Sequence, residues 1–248
     1  MVTIKKKEEI KKLREGGRIL AKIINELKKD IQPGLKADFL DRKAEKLARS
    51  NNAIPSFKGY NGFPANICIS INNEVVHGFP FGKILKEGDI VGIDFGLKYK
   101  GLYTDMAKTI GVGRINKPAA DLVKATEKSL KIGIKEIKPG SHLGDVSYAI
   151  QKYAEGKGYS VVRDLTGHGV GYKVHEPPQI PNFGKKGEGM LLREGMVIAI
   201  EPMVNIGNYQ IKLKDDGWTI VTADGSLSAH FEHTIAVTKK GHEILTKT

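Results

Sequence analysis

The chain has 248 residues, of which 40% are hydrophobic and 27% are charged, and its 40 Lys and Arg exceed its 28 Asp and Glu to give a net charge of +12. This composition is typical of a globular domain, and without an apolar run of about 18 residues the sequence excludes a membrane-spanning helix. The positive charge favours contact with a polyanion such as ribosomal RNA, but a solvated lysine-rich surface explains it equally well. The sequence has no basic stretch interleaved with aromatic residues, so it does not predict sequence-specific nucleic-acid binding.

The first half of the chain begins with two predicted helices. Apolar residues at helical spacing predict an amphipathic helix over residues 4–29 and a second helix at about Ala37–Asn51. Pro33 and Gly34 interrupt the helical pattern between them. From Ile54 to Ile115, short β-branched runs broken by Gly, Pro and Asn predict strands, at Asn66–Ile71, Ile90–Asp94 and Tyr103–Val112.

The second half repeats this order of elements. Asn116 and Pro118 predict the start of a helix that reaches about Ile137, and a further helix is predicted at Gly144–Gly156. The strands predicted after it are Tyr159–Asp164, Met196–Glu201, Thr219–Thr222 and Glu232–Thr238. Similar segments recur 106 and 107 residues apart, at 31–34 with 137–140 and at 87–94 with 194–201. We therefore predict one α+β domain over residues 1–248, built from internal repeats at 4–115 and 116–240.

Four carboxylates lie at equivalent places in the predicted strands. Asp94 and Glu201 each end an apolar run, where an unpaired buried charge is costly. Asp105 and Glu232 precede matching Thr-Ile-x-Val segments by four and two residues, so in a regular strand each faces the same side as its threonine. Asp94 and Asp105 fit the two strands of a hairpin. Converging carboxylates of this kind indicate a bound cation.

Three histidines lie in the strand-rich segments: His77 and His168 are next to glycines, and His175 follows the glycine-rich stretch 167–171. A single histidine in such a place is more often structural than a ligand, but three of them favour a site. Two Asp, two Glu and one or two His form an oxygen-rich donor set without a thiolate cluster, which excludes a structural zinc site. Four carboxylates suit two divalent ions about 3.5–4 Å apart, and such a pair supports metal-assisted hydrolysis.

The order of these motifs resembles that of the bacterial-type, type I methionine aminopeptidases, from the first helix to the last strand. The motifs are Val75-Val76-His77-Gly78-Phe79-Pro80, Asp94-Phe-Gly, Thr104-Asp105, Gly167-His168-Gly-x-Gly-x-x-x-His175-Glu176, Glu201-Pro-Met and Glu232-His-Thr. The resemblance implies the pita-bread fold, a pseudo-twofold α+β domain with an antiparallel sheet covered by helices. It also implies a hydrolase that removes the N-terminal methionine from nascent proteins when the second residue is small.

The resemblance also implies a role for each matching residue. The implied ligands of two divalent ions (Co, Mn, Fe or Zn) are Asp94, Asp105, His168, Glu201 and Glu232, with Asp105 and Glu232 bridging. Glu201 is also the implied general base, and His77 and His175 are the implied substrate-contacting, catalytic histidines. The implied pocket for the methionine side chain comprises Tyr60, Phe63, Cys68 and Trp218, residues that the sequence alone would assign to the core. Val174 and His230 depart from the family, which commonly has an aromatic residue and a glutamine there.

Two other functions fit parts of the sequence. X-Pro peptidases resemble this ligand set but usually carry an additional N-terminal domain, and non-catalytic pita-bread binding modules typically lose ligands that are all present here. We therefore expect a monomeric enzyme that acts on the N-termini of nascent polypeptides and does not bind membranes. The single cysteine and the absence of a secretory-signal pattern predict a cytoplasmic location, where the basic surface would contact the ribosome.

Overall fold

The structure, a computed structural model, describes residues 2–248 and contains the four predicted helices within a few residues of their expected bounds: α1 (Lys7–Lys28), α2 (Ala37–Ser50), α3 (Lys117–Lys135) and α4 (Leu143–Glu155). Helix α3 starts as predicted, because the Asn116 side chain accepts a hydrogen bond of 2.9 Å from the Ala119 amide. Helix α1 starts three residues later than predicted, because the preceding residues are extended and the Lys5 amide donates to the Gly195 carbonyl. Among residues 2–248, no helix is both long enough and apolar enough to cross a membrane.

An antiparallel sheet forms most of the first half. The strands are β1 (Ile54–Pro55), β2 (Cys68–Ile71), β3 (Glu74–Val76), β4 (Ile90–Tyr99) and β5 (Leu102–Gly111). Strand β4 lies between β1 and β2 and also pairs with β5, which confirms the predicted hairpin. Strand β2 begins two residues later than predicted, because the Asp41 carboxylate binds the backbone and side-chain nitrogens of Asn66 instead of a neighbouring strand.

The second half contains ten strands: β6 (Ser160–Val161), β7 (Thr166–Gly169), β8 (Glu176–Pro181), β9 (Val197–Ile200), β10 (Met203–Asn205), β11 (Ile211–Leu213), β12 (Ile220–Thr222), β13 (Ser228–His230), β14 (His233–Thr238) and β15 (Gly241–Ile244). Five of them form an antiparallel sheet of order β15-β14-β9-β7-β8. The prediction of a strand at 159–164 is wrong in length, because β6 contains only Ser160 and Val161. The chain leaves the sheet after them and is exposed to solvent at Arg163 and Asp164. Glu201 and Glu232 lie just outside the strands predicted to contain them.

Two small sheets and two core clusters complete the fold. One three-stranded sheet has the order β13-β10-β6, and the other, β11-β12-β3, joins a strand of the first half to two of the second. Buried apolar side chains from residues 20–112 form one cluster, and those from 119–237, with Ile90, form another. Helix α1 packs on β4 and β5 and approaches the C-terminal segment so closely that a Cβ at Gly17 would lie 2.5 Å from the Leu245 carbonyl oxygen. The strands that carry the predicted site residues approach one another between the two halves.

Candidate metal centre

All the predicted site residues line one cleft between the two halves of the molecule. They are Tyr60, Phe63, Cys68, His77, Asp94, Asp105, His168, His175, Glu201, Trp218 and Glu232. Phe57, Asn61 and Val76 also line the cleft, although only Val76, inside the motif that contains His77, had a sequence context that pointed to the site. The cleft therefore brings together residues up to 175 positions apart in the chain (from Phe57 to Glu232).

The β4–β5 hairpin places Asp94 and Asp105 on one face of its sheet. Asp94 lies opposite Ala107, and Asp105 lies opposite Gly96, so the two carboxylates are diagonal neighbours. Because side chains alternate along a strand, this register directs both toward the same side. Their side chains are close enough to hydrogen-bond to each other. The first half thus supplies two adjacent acidic donors.

The second half supplies a histidine and two glutamates from the ends of its strands. His168 lies in β7 opposite Ala199, Glu201 directly follows β9, and Glu232 directly precedes β14. The His168 Nδ1 atom is 2.9 Å from the Gly169 carbonyl oxygen, an arrangement that places the ring proton on Nδ1. The Nε2 atom faces the cleft, 3.5 Å from Glu201 Oε1.

A contact between the halves brings Asp105 and Glu232 together. Residues 105–109 run antiparallel to 230–234, and the Glu232 amide donates a hydrogen bond of 2.9 Å to the Ala107 carbonyl. Donor atoms of Asp105, His168 and Glu232 all lie within 4.8 Å of one another. A group of this size and composition could hold a metal ion.

The electrostatics of the cleft favour a cation. Burial raises the pKa of Asp94 to about 7, and burial together with neighbouring carboxylates raises the pKa of Asp105 and of Glu232 well above the usual range. Asp94 Oδ1 and Glu232 Oε1 are buried without a hydrogen-bond partner in the described part of the chain. Divalent ions would satisfy these oxygens and remove the repulsion, so the residues fit the metal centre that the sequence predicts.

Glu201 differs from the other three carboxylates. Burial acts to raise its pKa, but His230 and His168 outweigh burial and leave its pKa lowered. The His230 Nε2 atom lies 3.4 Å from Glu201 Oε2, and His168 lies beside the other oxygen. Sequence reasoning identified His230 only as a departure from the family. The signal that could have found its role is its position four residues before Thr234, which matches that of Asp105 before Thr109.

Two further histidines line the mouth of the cleft. The His175 ring packs edge-to-face on His168 at a centroid distance of 4.3 Å, and its Nδ1 atom is 3.1 Å from the Tyr60 hydroxyl. Burial, followed by the neighbouring His168, lowers the pKa of His175 to about 4, so its ring is neutral at pH 7. His77 follows β3 with a left-handed φ of 58°, a conformation that is costly for a residue other than glycine.

An apolar pocket adjoins the carboxylates. Phe63 and Trp218 form an edge-to-face pair with ring centroids 5.4 Å apart, and Cys68 and Val174 are buried in the same cluster. Burial, and then Asp94, raises the pKa of the Cys68 thiol well above its usual range, so it remains a neutral wall atom. Val174 does not line the cleft itself, so the departure there changes the packing behind the pocket wall.

Comparison with known proteins agrees with this geometry. The pattern of metallopeptidase family M24 matches residues 11–239. The methionine aminopeptidase of Clostridium perfringens is 51% identical over 246 residues, which cover 99% of each chain. The crystal structure of methionine aminopeptidase from Thermotoga maritima matches at a TM-score of 0.98 with 48% identity over the whole of both chains.

A prolidase from Pyrococcus furiosus also matches, at a TM-score of 0.81 and 26% identity, but the match covers 99% of this chain and only 65% of the prolidase. These neighbours confirm the predicted pita-bread fold, which both kinds of peptidase share. The much higher identity to the first two relatives, over their full length, separates the chain from the X-Pro peptidases. This chain therefore belongs to the methionine aminopeptidases of metallopeptidase family M24.

Proposed function

We propose that this chain removes the N-terminal methionine from nascent polypeptides whose second residue is small. The observation that carries the proposal is the convergence of five metal-binding side chains beside an apolar pocket. An unbranched thioether suits walls made of aromatic rings, a neutral thiol and a valine, because such walls offer polarisable contacts. Hydrolysis of the first peptide bond requires that bond to lie next to the metal centre when the pocket is filled.

We infer that the cleft holds two divalent ions. Asp94, Asp105, His168, Glu201 and Glu232 would hold them, and Asp105 and Glu232 meet across the contact between the halves. When bound, such ions lower the pKa of a water molecule and polarise a carbonyl group. Co, Mn, Fe and Zn all accept this mixture of oxygen and nitrogen donors.

The other groups in the cleft have complementary roles. Glu201 is an ionised carboxylate with a lowered pKa, so it can accept a proton from the attacking water. If the Tyr60 hydroxyl donates to Nδ1 of His175, the ring carries its proton on Nε2. That N–H can then donate to the oxygen that becomes negatively charged in the tetrahedral intermediate. His77 faces the same cleft and would contact the substrate.

A two-peptide assay tests this proposal. Metal-free protein would be incubated with Met-Ala-Ser or Ala-Pro-Ala, with and without Mn(II) or Co(II). We expect metal-dependent release of methionine from the first peptide alone. Cleavage of only the second peptide would assign an X-Pro peptidase, and absence of turnover with any metal would favour a binding module. Glu201→Ala should lower kcat by at least about a hundredfold while the protein remains folded.

We also propose that the basic surface contacts the ribosome. The net charge of +12, with 40 Lys and Arg against 28 Asp and Glu, supports this. Binding through such residues weakens steeply as salt rises, since it depends on displacing counterions from phosphates. Co-sedimentation with ribosomes at low salt, lost at high salt, is expected. A protein that stays in the supernatant even at low salt would contradict the proposal.

We further propose that the enzyme is a cytoplasmic monomer with one folding domain. The buried thiol of Cys68 in the substrate pocket suits a reducing compartment. Sedimentation velocity should give a mass of 27.2 kDa, and denaturant should unfold both halves in one transition. A dimer, or two separate transitions, would contradict these statements, and cell fractionation tests the location.

A further inference from the structure

We propose that Lys5 is a positioning residue for catalysis, because the segment of residues 3–6, here called the N-terminal strap, holds the loop that presents His175. This inference rests on the catalytic role proposed above for His175. The loop comprises residues 170–175, between β7 and β8, and Glu176 is the first residue of β8. Nothing in the sequence connects the strap with the cleft, since 170 residues separate Lys5 from His175.

A buried ion pair joins the strap to the loop. Lys5 is 3% exposed, and its Nζ atom lies 2.7 Å from Oε2 of Glu176, which directly follows His175. Lysine is rarely so buried, because removing an ammonium group from water costs several kcal/mol unless a partner compensates. Here burial lowers the pKa of Lys5 and Glu176 opposes that effect, so the ammonium depends mainly on this carboxylate, with a smaller contribution from Glu9.

The Glu176 carboxylate organises the loop from inside. Its Oε1 atom accepts hydrogen bonds from the backbone amides of Tyr172 and Lys173, and its Oε2 atom accepts from Lys5 and from the Thr3 hydroxyl. The two strap residues therefore fix the carboxylate, and the carboxylate fixes the turn that precedes His175. These donors outweigh burial, so the pKa of Glu176 is lowered and the group is ionised at pH 7.

Packing reinforces these polar contacts. A Cβ at Gly171 would lie 2.4 Å from Cε of Lys5, so the strap lies directly against the loop backbone. The Lys5 ammonium is 5.0 Å from the centre of the Tyr172 ring, and the Tyr172 hydroxyl donates a hydrogen bond of 2.8 Å to Glu9 in helix α1. The backbone amide of Lys5 is itself anchored to Gly195, at the turn before β9.

The structure predicts which property depends on the strap. His175 reaches solvent at the mouth of the cleft that its ring lines, and it is held by the loop and by Tyr60. His168, in contrast, lies in the five-stranded sheet, where β7 pairs with β8 and β9. Loosening the loop should displace His175 and leave the metal ligands in place. Misplacement of a catalytic group by about 1 Å can lower a rate about a hundredfold. We therefore expect kcat to fall while the metal affinity stays constant.

The test compares Lys5→Met and the double variant Lys5→Met/Glu176→Gln with the conservative Lys5→Arg. The double variant is needed because Lys5→Met alone leaves an uncompensated buried carboxylate and can unfold the protein. With Mn(II) and the peptide Met-Ala-Ser, kcat should be about 10- to 100-fold lower in Lys5→Met and in the double variant than in the unmodified chain. The Lys5→Arg variant should keep a higher kcat than either of them. Calorimetric metal dissociation constants should stay within about threefold of the unmodified chain, since the ligands are unchanged.

Arg14→Met is the matched control. Arg14 in helix α1 makes another long-range ion pair, at 2.5 and 2.8 Å to Glu243, but that pair ties α1 to β15 away from the cleft. This variant should retain the kcat of the unmodified chain. A folded double variant with unchanged kcat would overturn the proposal, and so would a parallel loss of metal affinity, which would mean that the strap supports the metal ligands.

A second measurement tests whether the strap positions His175, and it does not depend on enzyme activity. In protein labelled with ¹⁵N-histidine, the ring resonances of His175 should shift and broaden in the double variant, while those of His168 should not. If the unmodified chain cleaves no peptide, the proposed function fails, and the His175 resonances still decide whether the strap positions this ring. Unchanged His175 resonances would overturn the proposal.

Discussion

Thr109 and Thr234 make the same two hydrogen bonds in opposite directions across the two halves of the molecule. The Thr234 hydroxyl accepts from the amide of Asp105 and donates to its carbonyl, both at 2.8 Å. The Thr109 hydroxyl does the same with His230, both at 2.9 Å. Each threonine thus binds the residue four positions before its counterpart. This reciprocity is expected of a twofold axis and supports the proposal of two internal repeats in one domain.

The two threonines form a matched pair for mutation. Replacing either by Val leaves a buried amide and a buried carbonyl without a partner, and we expect the free energy of unfolding to fall by about 2 kcal/mol or more in both variants. Thr234 holds a proposed metal ligand, Asp105, directly, whereas Thr109 holds His230, which contacts the proposed ligand Glu201 only from behind. Thr234→Val should therefore raise the metal dissociation constant more than Thr109→Val does. Urea unfolding of the metal-free protein and calorimetry measure the two effects, and equal metal affinities would contradict the assignment.

Metal binding should stabilise the protein more as pH rises. The pKa of Asp94 is raised by burial to about 7 in the metal-free fold, compared with its ordinary value of 3.8. Between about pH 4 and pH 7 the folded state therefore binds more protons at Asp94 than the unfolded state does, so this group makes the metal-free protein less stable as pH increases. Bound metal replaces the proton and removes this loss.

The difference in Tm with and without Mn(II) should accordingly increase from pH 5 to pH 7. Asp94→Asn cannot release a proton, so the metal-free variant should lose less stability over this range than the unmodified protein. A Tm difference that is independent of pH would contradict the raised pKa.

The Tyr60 hydroxyl should determine which ring nitrogen of His175 carries the proton. Tyr60→Phe removes the donor at 3.1 Å from Nδ1, so the proton can move to that atom and leave Nε2 without one. We expect kcat for Met-Ala-Ser to fall about tenfold or more, since an oxyanion donor is lost for part of the time. Because the aromatic ring remains in the pocket wall, KM should change little. A large rise in KM with unchanged kcat would assign Tyr60 to substrate binding alone.

His230 should orient Glu201 in this chain. His230→Ala removes the group 3.4 Å from Glu201 Oε2, and loss of such a supporting contact typically weakens metal binding about 10- to 100-fold. His230→Gln, which supplies an amide donor, should recover most of the affinity. His242→Ala is the control, because His242 contacts the Ile137 carbonyl away from the cleft. Equal affinities in the Ala and Gln variants would contradict a role for a donor at this position.

The sequence by itself determined the local structure and the inventory of the site. Amphipathic spacing predicted α1 and α2, and the capping residues Asn116 and Pro118 predicted the start of α3, because such signals depend only on neighbouring turns. The short interval between Asp94 and Asp105 predicted their hairpin for the same reason. Strands in the glycine-rich segment around His168 escaped prediction, since glycine carries no periodic signal and pairing with a distant strand decides its conformation.

Only the tertiary structure decided which distant residues meet. The contact of Thr109 with His230 spans 121 residues and the ion pair of Lys5 with Glu176 spans 171. Neither pair has a local pattern, because a side chain's partner is set by the packing of whole sheets and not by its sequence neighbours. The low pKa of Glu201 among three carboxylates with raised pKa values has the same origin: two histidines from different strands face its two oxygens. The identity of the site residues could be predicted from the sequence, but their pKa shifts arise from burial in the cleft.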